Sequence, residues 1–120
     1  MKRYLFATVA ALGLLFGSMS VASAQNSYDG KNRWVTIFND SYATVITVYA
    51  VPSHHGMSYI SGQDWIPNTT IRPRESYNVN FDDGRGTCYY DLRATSEVTG
   101  RDWIRRNFNV CAESTWTLVN

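Results

Sequence analysis

Short segments in which apolar and polar residues alternate run through this chain from residue 33 onward, separated by turn-forming residues. They follow one another at a spacing of roughly ten residues, and helical periodicity is hard to find over the same range. Short strands at that spacing are typical of two packed β-sheets. The sequence therefore predicts an all-β fold, an antiparallel β-sandwich or small barrel of about six to seven strands.

The first two predicted strands are residues 33–39 and 44–51. Residues 39–41, Asn-Asp-Ser, favour a turn between them, so the two strands are expected to pair as a hairpin. Pro52 ends the second strand, because proline cannot donate a hydrogen bond to a β-ladder. The pattern in that strand predicts a core-facing set of Ile46, Val48 and Ala50.

A second hairpin is predicted further along the chain. Residues 75–81 and 87–95 both alternate, and residues 82–86 between them, Asp-Asp-Gly-Arg-Gly, tolerate positive φ. The Asp-Asp-Gly run also invites a calcium site, but the spaced oxygen ligands of a calcium loop are missing from the sequence. In the second of these strands the core-facing set is expected to be Cys88, Tyr90, Leu92 and Ala94.

The last two predicted strands are residues 102–111 and 113–119. In the first of them Ile104, Phe108 and Val110 share one parity of position, whereas Trp103 and Cys111 share the other. A β-bulge near residues 107–109 would bring both sets of apolar residues to the core. A strand that is partly covered on both faces is the alternative.

Two cysteines, Cys88 and Cys111, offer one intramolecular pairing. In an exported protein a disulfide is the expected state, and a closed loop of roughly 24 residues would stabilise the fold by about 3 kcal/mol. A metal pair and a reactive thiol are the alternatives. A metal is disfavoured, because no histidine or third cysteine stands at ligand spacing.

Residues 1–24 have the three parts of a secretory signal peptide: a basic start, an apolar run from Leu5 to Phe16, and an Ala-Ser-Ala cleavage site ending at Ala24. The apolar run is too short for a membrane-spanning helix, and no stable membrane anchor is expected. The mature protein would be periplasmic or secreted. The predicted organisation is a signal peptide over 1–24, a flexible leader over 25–32 and a single β-sandwich domain over 33–120.

The charge pattern argues against several classes of function. The chain has 11 Lys and Arg against 10 Asp and Glu, and they are scattered. Since there is neither a basic stripe nor an acidic tail, no nucleic-acid partner is expected. Nothing in the sequence predicts a cofactor.

Three short motifs carry a family resemblance. They are the segment from Trp34 to Tyr49 with its Val-Tyr end, residues 88–93 (Cys-Tyr-Tyr-Asp-Leu-Arg) and residues 109–111 (Asn-Val-Cys). They resemble an uncharacterised family of small exported bacterial β-proteins that share the pattern C-[YW]-x-D-[LI] followed by N-[LV]-C. A loop of the type Trp-Gly-x-Asp in that family is rearranged here, where residues 62–65 read Gly-Gln-Asp-Trp.

The resemblance implies export, a β-fold and a disulfide, and it carries over no catalytic residue. Some members of the family bear the label argininosuccinate lyase. Such lyases are large helical tetramers with shared active sites, so a chain of 120 residues cannot house that chemistry.

Catalytic and metal sites find little support in the sequence. His54 and His55 are weak metal candidates, because adjacent side chains on an extended chain point in opposite directions; loose copper or zinc binding is the alternative. With both histidines in one loop and no glycine-flanked nucleophile turn, no catalytic residue is predicted. Asp91, in the middle of a strand, is expected to form an ion pair with Arg93, Arg105 or Arg106.

Residues 53–68 form a long predicted loop that combines aromatic and amide side chains. Loops on a rigid β-scaffold commonly carry recognition, and Trp, Tyr and Arg are enriched at protein interfaces. Burial of Trp65 as part of the core is the structural alternative. The candidate binding surface consists of Tyr59, Gln63, Asp64, Trp65 and Asn68.

The sequence therefore favours a small exported, non-catalytic binding protein of the bacterial envelope, with an envelope protein as its partner. The alternative is a carbohydrate- or peptidoglycan-binding module that uses Trp65 and Tyr59 to hold a glycan. A small hydrolase built on Asp64 and Asp91 is the least favoured function.

Overall fold

The computed structural model describes residues 26–55 and 60–120, which form six β-strands and a short 3-10 turn at Ser53–His55. The all-β class expected from the sequence is confirmed. Within the described ranges, no helix has the length and hydropathy to cross a membrane. The predicted signal peptide lies outside the described residues. The strands are β1 (Trp34–Asp40), β2 (Val45–Pro52), β3 (Ser76–Asn80), β4 (Tyr89–Ser96), β5 (Asp102–Asn109) and β6 (Thr115–Val119).

The strands form two three-stranded sheets, in the order β3–β1–β6 (sheet I) and β2–β4–β5 (sheet II). The expectation of a purely antiparallel sandwich is wrong at one pair, since β1 and β6 run parallel. A parallel partner cannot be reached by a tight turn, and the chain indeed enters β6 from the other sheet. The predicted disulfide is confirmed between Cys88, just before β4, and Cys111, just after β5.

The core lies between the two sheets. The alternation predicted for β4 is confirmed at Tyr90, Leu92 and Ala94, which are fully buried, whereas Cys88 precedes the strand and is half-buried. They join Val35 and Ile37 of β1 in one hydrophobic cluster. Since successive side chains of a strand point to opposite faces, each sheet buries one face in this cluster and turns the other outward.

The expected hairpin of the first two strands is wrong, because β1 and β2 lie in different sheets. The side chain of Asn39 bonds to the connecting chain instead. Its Nδ2 donates to the carbonyl oxygens of Ala43 and Ile71, at 2.8 Å each, and its Oδ1 accepts from the N–H and the hydroxyl of Ser41. Asn39 is fully buried, so this amide fixes the crossing from sheet I to sheet II.

The set of β2 residues that faces the core also differs from the expected one. Val45 and Val48 are fully buried, whereas Ile46 is 40% exposed. The register of β2 with β4 shifts between Val45 and Thr47, and this irregularity turns Ile46 outward. Ala50 packs against the core as expected.

The expected hairpin across residues 82–86 is wrong as well, since β3 pairs with β1 whereas β4 pairs with β2 and β5. The carboxylates of Asp82 and Asp83 accept hydrogen bonds from the backbone N–H groups of Gly84 and Arg85, at 3.0 Å each. Gly84 has a φ of 84°, which glycine adopts at little cost. These two Asx turns carry the chain from sheet I to sheet II.

The β-bulge predicted near residues 107–109 is confirmed in β5. The register of β4 with β5 shifts opposite Asp91, so two residues, Arg106 and Asn107, face one. Asn107 has a φ of 58°, and asparagine tolerates this left-handed conformation better than most residues. After the bulge, β5 turns Phe108 into the core.

Arg33 fixes the segment that precedes β1. Its guanidinium is buried and makes two hydrogen bonds of 2.8 Å with the carboxylate of Asp29, and its Nε donates to the carbonyl of Thr87. Because these bonds favour the charged carboxylate, the pKa of Asp29 lies well below its usual range. The chain before β1 is thereby tied to the chain before the disulfide, while the leader boundary at residue 32 stays a prediction.

Candidate functional site

The outer edge of β2 is partly covered by the chain that follows the 3-10 turn. The N–H of Val48 donates to Oδ1 of Asp64 at 3.0 Å, and its carbonyl accepts from the N–H of Trp65 at 2.8 Å. Val45 exchanges two backbone hydrogen bonds with Ile71, at 2.9 Å each. An uncovered sheet edge is a template for pairing with another chain, so residues 64–71 shield much of β2.

Ala50 is a position on this edge that no segment within residues 26–55 and 60–120 covers through a backbone hydrogen bond. Backbone groups of an antiparallel strand alternate between its two sides, so the N–H and C=O of Ala50 point the same way as those of Val48. Outside the β-ladder, neither group makes a backbone hydrogen bond with a described residue. Pro52, two positions further on, can offer only its carbonyl.

A groove of about 280 Å³ opens beside this uncovered edge. We call it the β2 groove. Three parts of the chain meet there: the end of β2 with the turn after it, the segment that covers the edge, and the crossing between the sheets. Its lining residues are Ala50, Val51, Pro52, His55, Ser61, Gly62, Gln63, Trp65, Asp83 and Arg85.

Trp65 belongs both to the core and to the groove. Its ring packs on Phe81 with the centroids 5.4 Å apart and contacts the hydrophobic core. The residue is half-buried and also lines the β2 groove. Trp65 is therefore partly buried against the core, as the alternative in the sequence analysis expected. A ligand in the groove would contact the exposed part of its ring.

The other residues of the predicted binding surface are not all in one place. Gln63 is exposed and lines the groove. Asp64 is engaged by the chain itself, because its Oδ1 accepts two backbone hydrogen bonds of 3.0 and 2.9 Å. Asn68 is exposed but does not line the groove, and Tyr59 lies outside the described residues.

Asp83 and Arg85 give the groove charged groups of both signs. Nε of Arg85 lies 3.7 Å from Oδ2 of Asp83, and the Arg85 side chain is 55% exposed.

The buried hydroxyl of Tyr90 has no hydrogen-bond partner in the part of the chain that the structure describes. Burial and the neighbouring carboxylate of Asp83 raise the pKa of Tyr90, so this phenol stays neutral near physiological pH.

The two histidines end the 3-10 turn and are exposed. The rings of His54 and His55 meet edge to face with centroids 4.5 Å apart. Among residues 26–55 and 60–120, no group of three or more His, Cys, Asp or Glu residues is placed to hold a metal ion. Of the two, His55 lines the β2 groove.

Asp91 forms a second polar cluster, on sheet II. Its carboxylate is 6% exposed and accepts from Arg106 at 2.9 Å, from the hydroxyl of Ser53 at 2.8 Å and from the backbone of the bulge at 2.8 Å. Arg106 is one of the three partners expected from the sequence, whereas Arg93 pairs with Asp102. The cluster ties the bulge of β5 to the start of the 3-10 turn.

Acidification should remove the contribution of Asp91 to stability. Burial alone would raise the pKa of Asp91, but hydrogen bonds from Asn107, Ser53 and Arg106 outweigh burial and lower it. The ionised carboxylate therefore stabilises the fold above the unfolded pKa of about 3.9, and this contribution is lost as the pH falls through the lower folded value. From neutral pH to about pH 3, wild type should lose more free energy of unfolding than Asp91→Asn does.

Urea unfolding followed by tryptophan fluorescence at both pH values measures this difference. Glu75→Gln is the matched control, because it removes an exposed ion pair with Arg72, and such pairs contribute about 1 kcal/mol or less. Equal losses in wild type and Asp91→Asn would contradict the role given to this carboxylate.

Sequence reasoning missed the uncovered edge at Ala50 and the contribution of Asp83 and Arg85. The two charged residues stand in a segment that turn chemistry already explains, far along the chain from Gln63. The crossing between the sheets brings them to the groove. One signal was available for the edge: Pro52 inside β2, since prolines in sheets are confined to edge strands and strand ends.

Comparisons with known proteins leave the geometry as the guide to function. No protein-family model, no curated protein and no solved structure gives a significant match to this chain. The family resemblance of the sequence motifs therefore stays a prediction.

Proposed function

We propose that this protein is a non-catalytic binding protein of the bacterial envelope that holds an extended segment of a partner protein in the β2 groove. The observation that supports the proposal is the backbone edge at Ala50, which the described part of the chain leaves without a loop hydrogen bond and which lies in a groove beside Trp65. An extended peptide adds to such an edge through main-chain hydrogen bonds, and pockets beside the edge take its alternate side chains.

The chemistry of the groove, which has a volume of about 280 Å³, suits a peptide. Trp65 and Arg85 are residue types that dominate binding energy at protein interfaces. Asp83 and Gln63 add an acceptor and an amide to the same wall, so that polar peptide side chains of either charge find partners.

The disulfide supports the cellular part of the proposal. Disulfides persist in oxidising compartments and are rare in the cytosol, so the Cys88–Cys111 bond is compatible with export to the periplasm or beyond the cell. Membership in the family of small exported β-proteins, which the sequence motifs suggest, belongs to the same proposal.

Photo-crosslinking from the groove tests this function in the native envelope. With a photoreactive amino acid in place of Gln63, one partner should be captured, and mass spectrometry of the linked peptide should identify an extended segment. Ala50→Pro removes the edge N–H and should lower capture roughly tenfold, which corresponds to about 1.4 kcal/mol. Proline is tolerated where the N–H faces away from the ladder, so the fold should survive.

The control places the photoreactive group at Thr99, an exposed residue in the turn between β4 and β5. Arg85→Ala is the second groove variant, in case Ala50→Pro fails to fold. Trp65→Ala is less suitable, because it also removes the packing on Phe81. Capture of the same proteins from both positions, or capture that neither groove variant lowers, would overturn the proposal.

A further inference from the structure

The outer edge of β3 lacks the features that usually keep an edge strand from pairing with another chain. Such edges are protected by charged side chains, prolines, bulges or a covering segment. Residues 64–71 cover much of β2, β5 has three charged residues and a bulge, and at β6 the Nε1 of Trp103 donates to the carbonyl oxygen of Val119 at 2.6 Å. β3 is short, but it has no charge, no proline and no register shift.

The ladder between β1 and β3 shows which backbone groups of β3 point outward. Glu75 accepts a hydrogen bond from the backbone of β1, and Phe81 donates one to the residue before β1. Because backbone groups alternate along an antiparallel strand, the even-numbered positions point away from β1. We call these three positions, Ser76, Asn78 and Asn80, the β3 edge. Outside the β-ladder, they make no backbone hydrogen bond with a described residue.

Tyr77 leaves an aromatic ring exposed beside the β3 edge. It has the parity of Val79 and Phe81, which are buried in the core, so its side chain lies on the core side of sheet I. Tyr77 is nevertheless 42% exposed. A strand added to the β3 edge would cover part of this ring, and the removal of apolar area from water favours association.

We infer that the β3 edge pairs with the β3 edge of a second copy of this chain, antiparallel about a two-fold axis at Asn78. In this register Asn78 faces itself and Ser76 faces Asn80, so the outward backbone groups form about six hydrogen bonds. Tyr77 comes opposite Val79 of the second copy, and an aromatic ring beside a β-branched residue stabilises a strand pair. The two copies of sheet I then form one continuous sheet.

Charges at the two ends of β3 favour a second copy over an unrelated segment. Arg74 stands two positions before β3 and Asp82 two positions after it, so the same register places Arg74 of each copy opposite Asp82 of the other. The Arg74 side chain is 73% exposed. Its Nη1 pairs with Asp40, and its guanidinium makes no other hydrogen bond with a described residue. Opposite charges that face each other across a strand pair stabilise it.

The inference does not depend on the peptide-binding proposal. The β2 groove shares no residue with the β3 edge, and neither Arg74 nor Asp82 lines it. The two surfaces also belong to strands of different sheets. A dimer formed through β3 therefore leaves the edge at Ala50 to a partner.

Sedimentation velocity of the mature protein tests the dimer. The fraction of a species with twice the monomer mass should rise with protein concentration up to about 1 mM. Asn78→Lys should raise the dimer dissociation constant roughly tenfold or more, because two ammonium groups would face each other at the two-fold axis. Thr117→Lys is the matched control. It adds the same charge at an exposed position of β6, the other edge strand of sheet I, and should leave the constant unchanged.

Exchanging the charges at the ends of β3 tests the register. Asp82→Lys and Arg74→Glu each bring like charges together at both ends of the strand pair, so each variant alone should dimerise less than wild type. A mixture of the two variants restores opposite charges at both ends. The mixed dimer should therefore form in preference to either homodimer.

Three results would overturn the inference. The first is a protein that stays monomeric up to about 1 mM, and the second is a dimer that Asn78→Lys does not weaken. Asn78 is exposed, so this variant should keep its fold, and its thermal unfolding should resemble that of Thr117→Lys. The third is a mixture of the charge variants that dimerises no better than each variant alone.

Discussion

Replacing both cysteines, as Cys88→Ala with Cys111→Ala, should lower the free energy of unfolding by about 2–5 kcal/mol. The bond joins two residues that are 23 positions apart in the sequence. It links the chain just before β4 to the chain just after β5. Small domains bury a limited fraction of their surface and have total stabilities of about 5–15 kcal/mol. The loss would therefore be a large part of the total.

Urea unfolding of the oxidised protein and of the double variant measures this loss. Wild type treated with a reductant under the same conditions is the matched control and should resemble the double variant. The intact mass of the oxidised protein should also be lower than that of the reduced wild type by two hydrogens, about 2 Da. A double variant within about 0.5 kcal/mol of wild type, the usual range of surface substitutions, would contradict a stabilising role for the bond.

Asn39→Asp should destabilise the protein by about 2–4 kcal/mol, although it exchanges a single NH2 group for oxygen. The amide donates to two carbonyl oxygens, those of Ala43 and Ile71, and a carboxylate at this fully buried position would face both of them without a proton. A protonated carboxyl could donate a hydrogen bond to one of the two carbonyl oxygens. Burial and the two carbonyls would raise the pKa of the new acid.

The destabilisation by Asn39→Asp should therefore depend on pH. The folded variant would bind a proton at a higher pH than the unfolded chain, so its stability should fall as the pH rises through the interval between the two pKa values. Asn32→Asp is the control, because Asn32 is exposed and its Oδ1, which Asp retains, accepts a hydrogen bond from the N–H of Trp34. Similar effects of both substitutions at neutral pH would show that the Asn39 amide does not hold the crossing.

The local features of this fold could be predicted from the sequence because they depend on neighbouring residues. Alternation in β4 places Tyr90 and Leu92 in the core, since a side-chain period of two is a property of any extended strand. Apolar residues of both parities in β5 indicated a bulge or a strand covered on both faces, and the structure has the bulge, at Asn107. Two cysteines leave one possible intramolecular disulfide, and the structure forms it between Cys88 and Cys111.

The pairing of strands could not be predicted in the same way. Residues 39–41 and 82–86 have the turn chemistry of a hairpin, and the same residue types also suit a crossing between two sheets. At Asn39 the decision depends on the carbonyl of Ile71, a residue 32 positions away. Such a contact cannot be inferred from adjacent residues. For this reason hairpins were expected at both places where the chain crosses between the sheets.

Part of the candidate site could be predicted from the sequence, and part depends on the tertiary structure. Trp65 and Gln63 stand in a loop whose aromatic and amide content indicates recognition, and both line the groove. Asp64, from the same loop, has its carboxylate engaged by the backbone of β2. Arg85 enters the groove from a distant segment, so its place there depends on how the sheets are connected.

The sequence by itself determined the all-β class and the approximate strand positions, because alternation and turn propensity act over short stretches of chain, and it favoured the bulge and the disulfide over their alternatives. The tertiary structure alone decided which strands are neighbours, that β6 lies parallel to β1, and that Ala50 and Trp65 meet in one groove. Those outcomes depend on which distant groups satisfy buried polar atoms and sheet edges. Many arrangements satisfy the local rules, and packing two sheets into one core selects among them.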